Sequence, residues 1–403
     1  MDRPLEGVKV VELAMWVAGP STSAVLGDWG ADVIKLEDPK TGDPIRGFVT
    51  RTMGDPNARI RPPFELDNRN KRSVAVDLRR ADGHAFAMRL IERADVFVTS
   101  LRLDALARMK LDYATLSAHN PRLVYASING YGHRGPDRDR PAFDYAAAWA
   151  RSGLMATIAE PGQSPPAQRP AMIDHAVGLG LAGAISAALL GRARTGRGSE
   201  VKISLYSMGL WMNASDLTVG LMTGRSPQSE SREDRVNPLW SSYRCSDGRW
   251  IYFVMIQSDR HWPDFCAALG QPDWLNDSRF KDSESRAKNC AAMTAEIDRA
   301  VAAKTAGEWA PIFDRRNLVW APVRTDSEVL EDPQADAIGA FAAVDHPQIP
   351  GCRVVNSPVE FGNGPQPAHR AAPELGQHTE EVALEAGLTW DEIARLKESG
   401  AIG

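Results

Sequence analysis

Apolar and polar positions in the first third of the chain follow two periods in turn, and their order reads strand, helix, strand. Val8 to Leu13 (V-K-V-V-E-L) is a short, mostly apolar run and is predicted as a buried strand. The turn A-M-W-V-A-G-P follows. Pro20, with Ser21 and Thr22 beside it, suits the first turn of a helix running to about Trp29. Gly30 ends that helix, and Ala31 to Leu36 (A-D-V-I-K-L) is predicted as the second strand of a βαβ unit. Further on, Asn70 to Arg72 leads into a strand over Ser73 to Leu78, and a helix over about Asp82 to Arg93 follows. A strand over Asp95 to Ser100 comes next, then short helices near Leu103 to Met109 and Tyr113 to His119, then a strand over Leu123 to Ile128. This alternation predicts a doubly wound, Rossmann-like α/β domain. The segment 37–68 is polar and rich in Pro, Gly and Arg, and loops of that length are usually functional.

The pattern breaks near Arg225, where R-S-P-Q-S-E-S-R-E-D-R is charged and irregular. The expected organisation is a large α/β domain over 1–200, completed by the C-terminal segment 375–403. A linker helix over 201–225, a smaller α+β domain over 226–330 and a return linker over 331–374 make up the rest. In the smaller domain, Tyr243 to Ile256 reads as a hairpin turning at Asp247-Gly248. Helices at about Asp259 to Leu269, Ser285 to Ala303 and Ala306 to Arg316 follow, and a strand over Val319 to Val323 closes it. Two short helices are expected after Leu375.

Composition narrows the class. The chain has 403 residues, 43% hydrophobic and 25% charged, with a net charge of −5. That charge argues against nucleic acid as the main partner. Four dispersed cysteines (Cys245, Cys266, Cys290, Cys352) read as reduced thiols, and the N-terminus carries no signal-peptide pattern, so a cytoplasmic location is expected. The longest uncharged run, Val177 to Gly191, is short and rich in Gly and Ala, so no membrane partner is expected.

Candidate chemistry centres on that run. Asp174 stands just before it, and a basic, glycine-rich turn and a short strand follow it. Gly178, Gly180 and Gly183 match G-x-G-x-x-G by letter. Asp174 and His175 precede them where a strand is required, and the nearby acid, Glu200, comes before the next strand, so close helix packing explains the glycines better. The histidines show no H-x-x-x-H pairing and no cysteine partners, so no metal is expected; G-x-S-x-G is absent. Asp174 then has two readings. It caps the helix start, or it is a carboxylate nucleophile that attacks a thioester, with helix-start N–H groups stabilising the oxyanion. Arg46, Lys71, Arg72, Arg102 and Arg108 lie in or near loops around the predicted strands and form a candidate anion-binding set.

Several spaced blocks in order resemble the class III CoA-transferases, the group that includes formyl-CoA transferase and carnitine CoA-transferase. They are Pro4 to Arg46, N-K-R-S-V-A-V-D-L (Asn70 to Leu78), Leu123 to Pro136 with its G-Y-G-x-x-G-P, Asp174 with Arg192 to Leu205, Pro322, and Ala372 to Val382. The resemblance implies that CoA moves from an acyl-CoA to a small carboxylic acid through a covalent aspartyl intermediate at Asp174. CoA and acyl-CoA are then substrates, with no permanently bound cofactor. It implies an interlocked homodimer of ring-like subunits. Candidate CoA contacts are Trp16, Val17, Arg46, Lys71, Arg72, Ser100, Leu101 and Arg108, and Phe48, Phe143 and Asp144 are assigned to the substrate pocket. Trp16, Phe48 and Trp149 are residue types for an apolar or aromatic acyl pocket. The related 2-methylacyl-CoA racemases carry a histidine where this chain has Phe143, which cannot exchange a proton; that argues against racemisation. Formyl-CoA transferase carries a glutamine at the position of Val17 and a polyglycine flap with no counterpart here, which argues against a small oxalate-like acid. His175 is read as structural. An acyl-CoA racemase or isomerase, and a non-catalytic CoA-binding protein, are the rival readings.

Overall fold

Six strands form one sheet in which every paired neighbour is parallel. The structure is a computed structural model that describes residues 3–48, 61–362 and 368–403. In chain order come β1 (Lys9–Leu13), α1 (Ala18–Asp28), β2 (Asp32–Glu37), α2 (Pro62–Asn68), β3 (Lys71–Ala75), α3 (Ala81–Glu92) and β4 (Val96–Thr99). Then follow α4 (Leu103–Arg108), α5 (Tyr113–His119), β5 (Val124–Asn129), α6 (Leu154–Ile158), α7 (Met172–Thr195), β6 (Glu200–Ser204), α8 (Leu205–Met212) and α9 (Ala214–Thr223). The strand order is β3-β2-β1-β4-β5-β6, so the direction of winding reverses between β1 and β4. In such sheets a crevice opens beyond the carboxyl ends of the strands at that reversal.

The described residues divide into two compact units. One holds residues 1–156, 167–226 and 334–403; the other holds 157–166 and 227–333. The second unit contains the antiparallel sheet β7 (Ser242–Arg244), β8 (Trp250–Phe253) and β9 (Trp320–Pro322). Its helices are α10 (Ser258–Leu269), α11 (Ser283–Lys288), α12 (Cys290–Val301), α13 (Ala306–Arg315) and α14 (Asp326–Leu330). Its core is aromatic, with Phe253, Trp262, Phe265, Trp309 and Phe313 packed together. After α15 (Pro333–Ala337), the chain adds β10 (Phe341–Asp345), β11 (Arg353–Val355), β12 (His369–Arg370), α16 (Thr379–Glu385) and α17 (Trp390–Glu398).

Two apolar layers clamp the parallel sheet, and strand alternation decides which residue joins which. Val10, Val33, Val96 and Val124 face α1 and α7. Their neighbours Val11, Ile34, Phe97 and Tyr125 face α3, α5 and α16. A sheet buried on both faces needs apolar residues at both phases of the period, which is why its strands read as near-continuous apolar runs.

The structure departs from expectation at five places. The linker helix expected over 201–225 is the end of β6, an edge strand of the main sheet, followed by two helices, α8 and α9. The polar segment 37–68 contains a short helical turn, Pro44–Arg46, and α2, whose start is set by Pro62 at its first position; 49–60 lie outside the described residues. The helix expected over Ser285 to Ala303 is two, α11 and α12, divided at Asn289. Segment 331–374, rich in Pro and Gly, carries α15 and β10 to β12. Finally, α7 extends beyond the uncharged run to 24 residues, so by length and composition it is long and apolar enough to cross a membrane. One stripe of it is buried inside this unit: Ile173, Val177, Leu181 and Ile185 are fully buried against α1 and the sheet, whereas Leu190 is exposed.

The approach of α7 to α1 explains one glycine of the fingerprint-like run. A Cβ on Gly178 would stand 2.1 Å from Ser21 Oγ and 3.1 Å from the Thr22 backbone nitrogen. The glycine therefore serves helix packing in mid-helix, not a phosphate turn. The basic R-T-G-R-G turn has a structural role too. Gly196 takes φ 73° and ends α7, its N–H donating to the Arg192 carbonyl at 2.8 Å. Gly198 then donates to the Pro121 carbonyl at 2.9 Å and feeds the chain into β6.

Candidate active site

The turn between β1 and α1 is held from below by buried charge. Trp16 takes a left-handed conformation, φ 68°, which is strained for an aromatic residue. Its N–H donates to Asp43 Oδ1 at 3.1 Å, and the same oxygen accepts the Ile45 N–H at 3.1 Å. The other Asp43 oxygen pairs with Lys35 Nζ at 2.9 Å. Lys35 also pairs with Glu12 at 2.6 Å, and Glu12 pairs with Lys71 at 2.7 Å. All four side chains are buried. Burial pushes the Glu12 carboxyl up, but the two ammonium groups outweigh it and hold it below the usual value. Burial, with help from Lys35 and against Glu12, pushes the Lys71 ammonium down to about 8.

This network decides where the candidate cations go. Lys71 Nζ donates to the Pro20 carbonyl at 2.8 Å and to Asn68 Oδ1 at 3.0 Å, so its ammonium is engaged inside the protein. Arg46 makes a bidentate pair with Glu37 at 2.8 Å, bonds the Pro373 carbonyl and lies 3.9 Å over the Phe64 ring. Arg72 ties β3 to Asp32 on β2 and to Glu381 and Glu385 on α16. Arg108 stays on the surface beside Asp104, and Arg102 is exposed at the start of α4. Ser100 Oγ accepts the Met15 N–H at 3.1 Å.

Two cavities flank the β1–α1 turn. The first, about 260 Å³, is the crevice at the winding reversal. Ala14 and Met15 line it after β1, Glu37 and Asp38 after β2, Val76 to Arg79 after β3, and Leu101 after β4. The second, about 500 Å³, is lined by the next two residues of the same turn, Trp16 and Val17, with Phe48, Leu66, Asp67, Phe143, Asp144, Tyr145, Asp174 and His175. Trp16 meets Phe48 and Phe143 edge to face, each at 5.5 Å between ring centres. Trp149 is not at this cavity; it is buried in the core under the sheet.

Asp174 is the third residue of α7, and the helix start is capped by a different residue. Asp144, at the head of the π-helical turn Tyr145–Ala150, receives the N–H groups of Ile173 and Asp174. It also accepts Gln168 Nε2 at 2.6 Å and the Tyr145 N–H at 2.9 Å. The helix-start N–H groups expected to serve an oxyanion are thus occupied. Among the described residues, no hydrogen bond reaches the Asp174 carboxylate. Burial, then the charges of Asp144 and Asp67, push its carboxyl up to about 7 against the opposing pull of His175. His175 Nε2 lies 3.1 Å from buried Asp67; that pairing outweighs burial and raises the imidazole above its usual value. Asp67 and Tyr145 complete the site and lie far from Asp174 along the chain, so no spacing could mark them.

The model of CoA-transferase family III matches residues 5–379. The chain is 34% identical over 402 residues to (R)-2-hydroxy-4-methylpentanoate CoA-transferase of Clostridioides difficile, covering 99% of each. It is 33% identical over 403 residues to cinnamoyl-CoA:phenyllactate CoA-transferase of Clostridium sporogenes, covering 97% of this chain and 95% of that one. A solved CaiB/BaiF family protein from Brucella suis superposes with a TM-score of 0.84 at 30% identity, over 96% of this chain and 100% of that one. With the family match running almost end to end and the α/β fold shared with a solved relative, this chain belongs to CoA-transferase family III.

Proposed function

We propose that the protein moves CoA between an acyl-CoA and a carboxylic acid, with Asp174 as the nucleophile. The observation that carries this reading is the state of Asp174: open to a cavity, relieved of capping by Asp144, and held with a raised pKa of about 7. A carboxylate that is poorly stabilised in its ground state is a stronger nucleophile than a solvated one. Its oxygen attacks the thioester carbonyl, the C–S bond breaks, and a mixed anhydride and CoA thiolate result. The thiolate then attacks the aspartyl carbonyl, giving an aspartyl-CoA thioester and releasing the donor acid as its carboxylate. The acceptor carboxylate repeats the two steps in reverse, restores Asp174 and leaves with CoA. No net proton is taken up.

The turn that lines both cavities supports a path for CoA. Its nucleotide end enters the crevice beside Met15 and Leu101, and its thiol end passes Trp16 and Val17 to reach Asp174. In this reading the phosphates meet the surface arginines Arg79, Arg102 and Arg108, and the inward-facing Arg46, Lys71 and Arg72 hold the site together.

Incubation with a panel of acyl-CoA donors, followed by hydroxylamine or borohydride, is expected to change the mass of the peptide holding Asp174. Asp174→Ala is expected to abolish exchange while CoA still binds. No adduct across the panel, or exchange surviving in Asp174→Ala, would overturn the reading. The His175–Asp67 pair on the same cavity wall favours one rival, an isomerase using His175 as a base. Solvent deuterium entering the α-carbon of an acyl-CoA without any acceptor acid would support that rival.

A further inference from the structure

We propose that the acyl site selects bulky apolar monocarboxylic acyl groups, aromatic or branched, and rejects those with a second carboxylate. The inference rests on the transferase reading and deepens it. Its first ground is the aromatic wall. Phe143 is 57% exposed and Phe48 39% exposed, although both are large apolar side chains held edge-on to Trp16. Rings left open at the mouth of a cavity gain by covering their faces, and an acyl group of matching bulk covers them. Ile45, Leu66, Pro62 and Pro63 continue the same surface.

The second ground is charge. Among the described residues lining this cavity, the ionisable side chains other than Tyr145 are Asp67, Asp144, Asp174 and His175. His175 is already engaged by Asp67. A second carboxylate on the acyl group would enter a partly desolvated space beside Asp144 and Asp174, where like charges repel most strongly. Burial raises the Asp144 carboxyl, and burial followed by the charges of Asp144 and Asp67 raises that of Asp174. A short acyl group such as acetyl meets no repulsion, but it leaves the aromatic faces uncovered.

The wall is set from beneath. The left-handed turn at Trp16 is fixed by Asp43, which Lys35 in turn anchors, so the indole that meets both phenyl rings is held by buried charge. A wall that is pre-ordered costs little entropy when an acyl group binds.

The test uses isotopic self-exchange, in which each acyl-CoA is mixed with its own labelled free acid, so no second substrate has to be known. Four pairs serve: 3-phenylpropanoyl, 4-methylpentanoyl, acetyl and glutaryl. The first two are expected to exceed the last two in kcat/KM by at least about tenfold, in the range a hydrophobic pocket discriminates. Phe143→Ala and Phe48→Ala are expected to lower exchange of the first two by about tenfold and that of acetyl by less than about threefold. Glutaryl exchanging as fast as 3-phenylpropanoyl would overturn the proposal, as would variants that weaken all four pairs by one factor. Exchange with none of the four would count against the transferase reading instead. Calorimetric binding of the same four thioesters to Asp174→Ala then decides the present proposal: tighter binding of the two apolar thioesters upholds it, and equal or glutaryl-first binding overturns it.

Discussion

At the scale of single residues, the protein separates two tasks that a helix-start aspartate could combine. Asp144 caps α7 from another segment, and Asp174 is left without a hydrogen bond among the described residues. Its carboxyl, raised to about 7, sets a pH dependence. In the proposed reaction the nucleophile is the ionised form, so exchange is expected to fall about tenfold from pH 8 to pH 6, with an acidic limb in kcat/KM near 7. Asp144→Asn removes one neighbouring negative charge and is expected to move that limb to lower pH. The same burial, with the charges of Asp144 and Asp67, costs stability. Because the folded pKa of Asp174 lies above the unfolded value of about 3.9, ionisation destabilises the fold progressively between about pH 4 and pH 7, and the cost levels off above that. Asp174→Asn is therefore expected to abolish exchange yet raise unfolding stability by about 2 kcal/mol at pH 8, discounted for partial solvent screening. Urea unfolding across that pH range reads the effect; a gain that does not shrink towards pH 4 would contradict it.

At the scale of elements, the α1–α7 contact aligns the site. α1 follows the Trp16 turn and α7 carries Asp174, so their closeness sets the distance between the proposed acyl wall and the proposed nucleophile. Gly178 permits it. Gly178→Ala is expected to cost about 1–3 kcal/mol by overpacking, measured by denaturant unfolding. Ser21→Gly in the same chain is expected to restore part of the loss, since the new methyl and the hydroxyl compete for one space. Additive losses in the double variant would show that the two residues do not meet. The sequence carried the uncharged run of α7 and the packing role of Gly178. It did not carry the trans cap, because Asp144 and Ile173 meet through the fold and not through any local pattern.

At the scale of the whole molecule, two consecutive helices leave large apolar side chains uncovered. Trp211 is 76% exposed, Leu221 86% and Met222 82%, all on α8 and α9. Exposed large apolar side chains on neighbouring helices point to an interaction surface. We propose that a second copy of this chain covers it, in the interlocked homodimer that the family resemblance implies. Sedimentation is expected to give a particle of about twice the 44.0 kDa chain mass. Leu221→Glu with Met222→Glu is expected to shift it towards the monomer, whereas an unchanged sedimentation coefficient would place the contact elsewhere.

Local pattern in the chain was enough to place the α/β alternation, because period, caps and turn residues act over a few positions; it left Asp174 open between a cap and a nucleophile, and only the family resemblance singled out the second. The inward fate of Arg46, Lys71 and Arg72 was not visible there. A basic residue near a strand end reads as a ligand contact until its neighbours are known, and here those neighbours are Glu12, Glu37, Asp32 and α16, brought together by the strand order. The same holds for the site. His175 adjoins Asp174 in the chain, but Asp67 and Asp144 reach it only because β3 and β5, at different positions in the sheet, deliver their flanking segments to one side of α7. Long-range proximity is a property of topology, and desolvation, which gives Asp174 its chemistry, arises only once that topology excludes water.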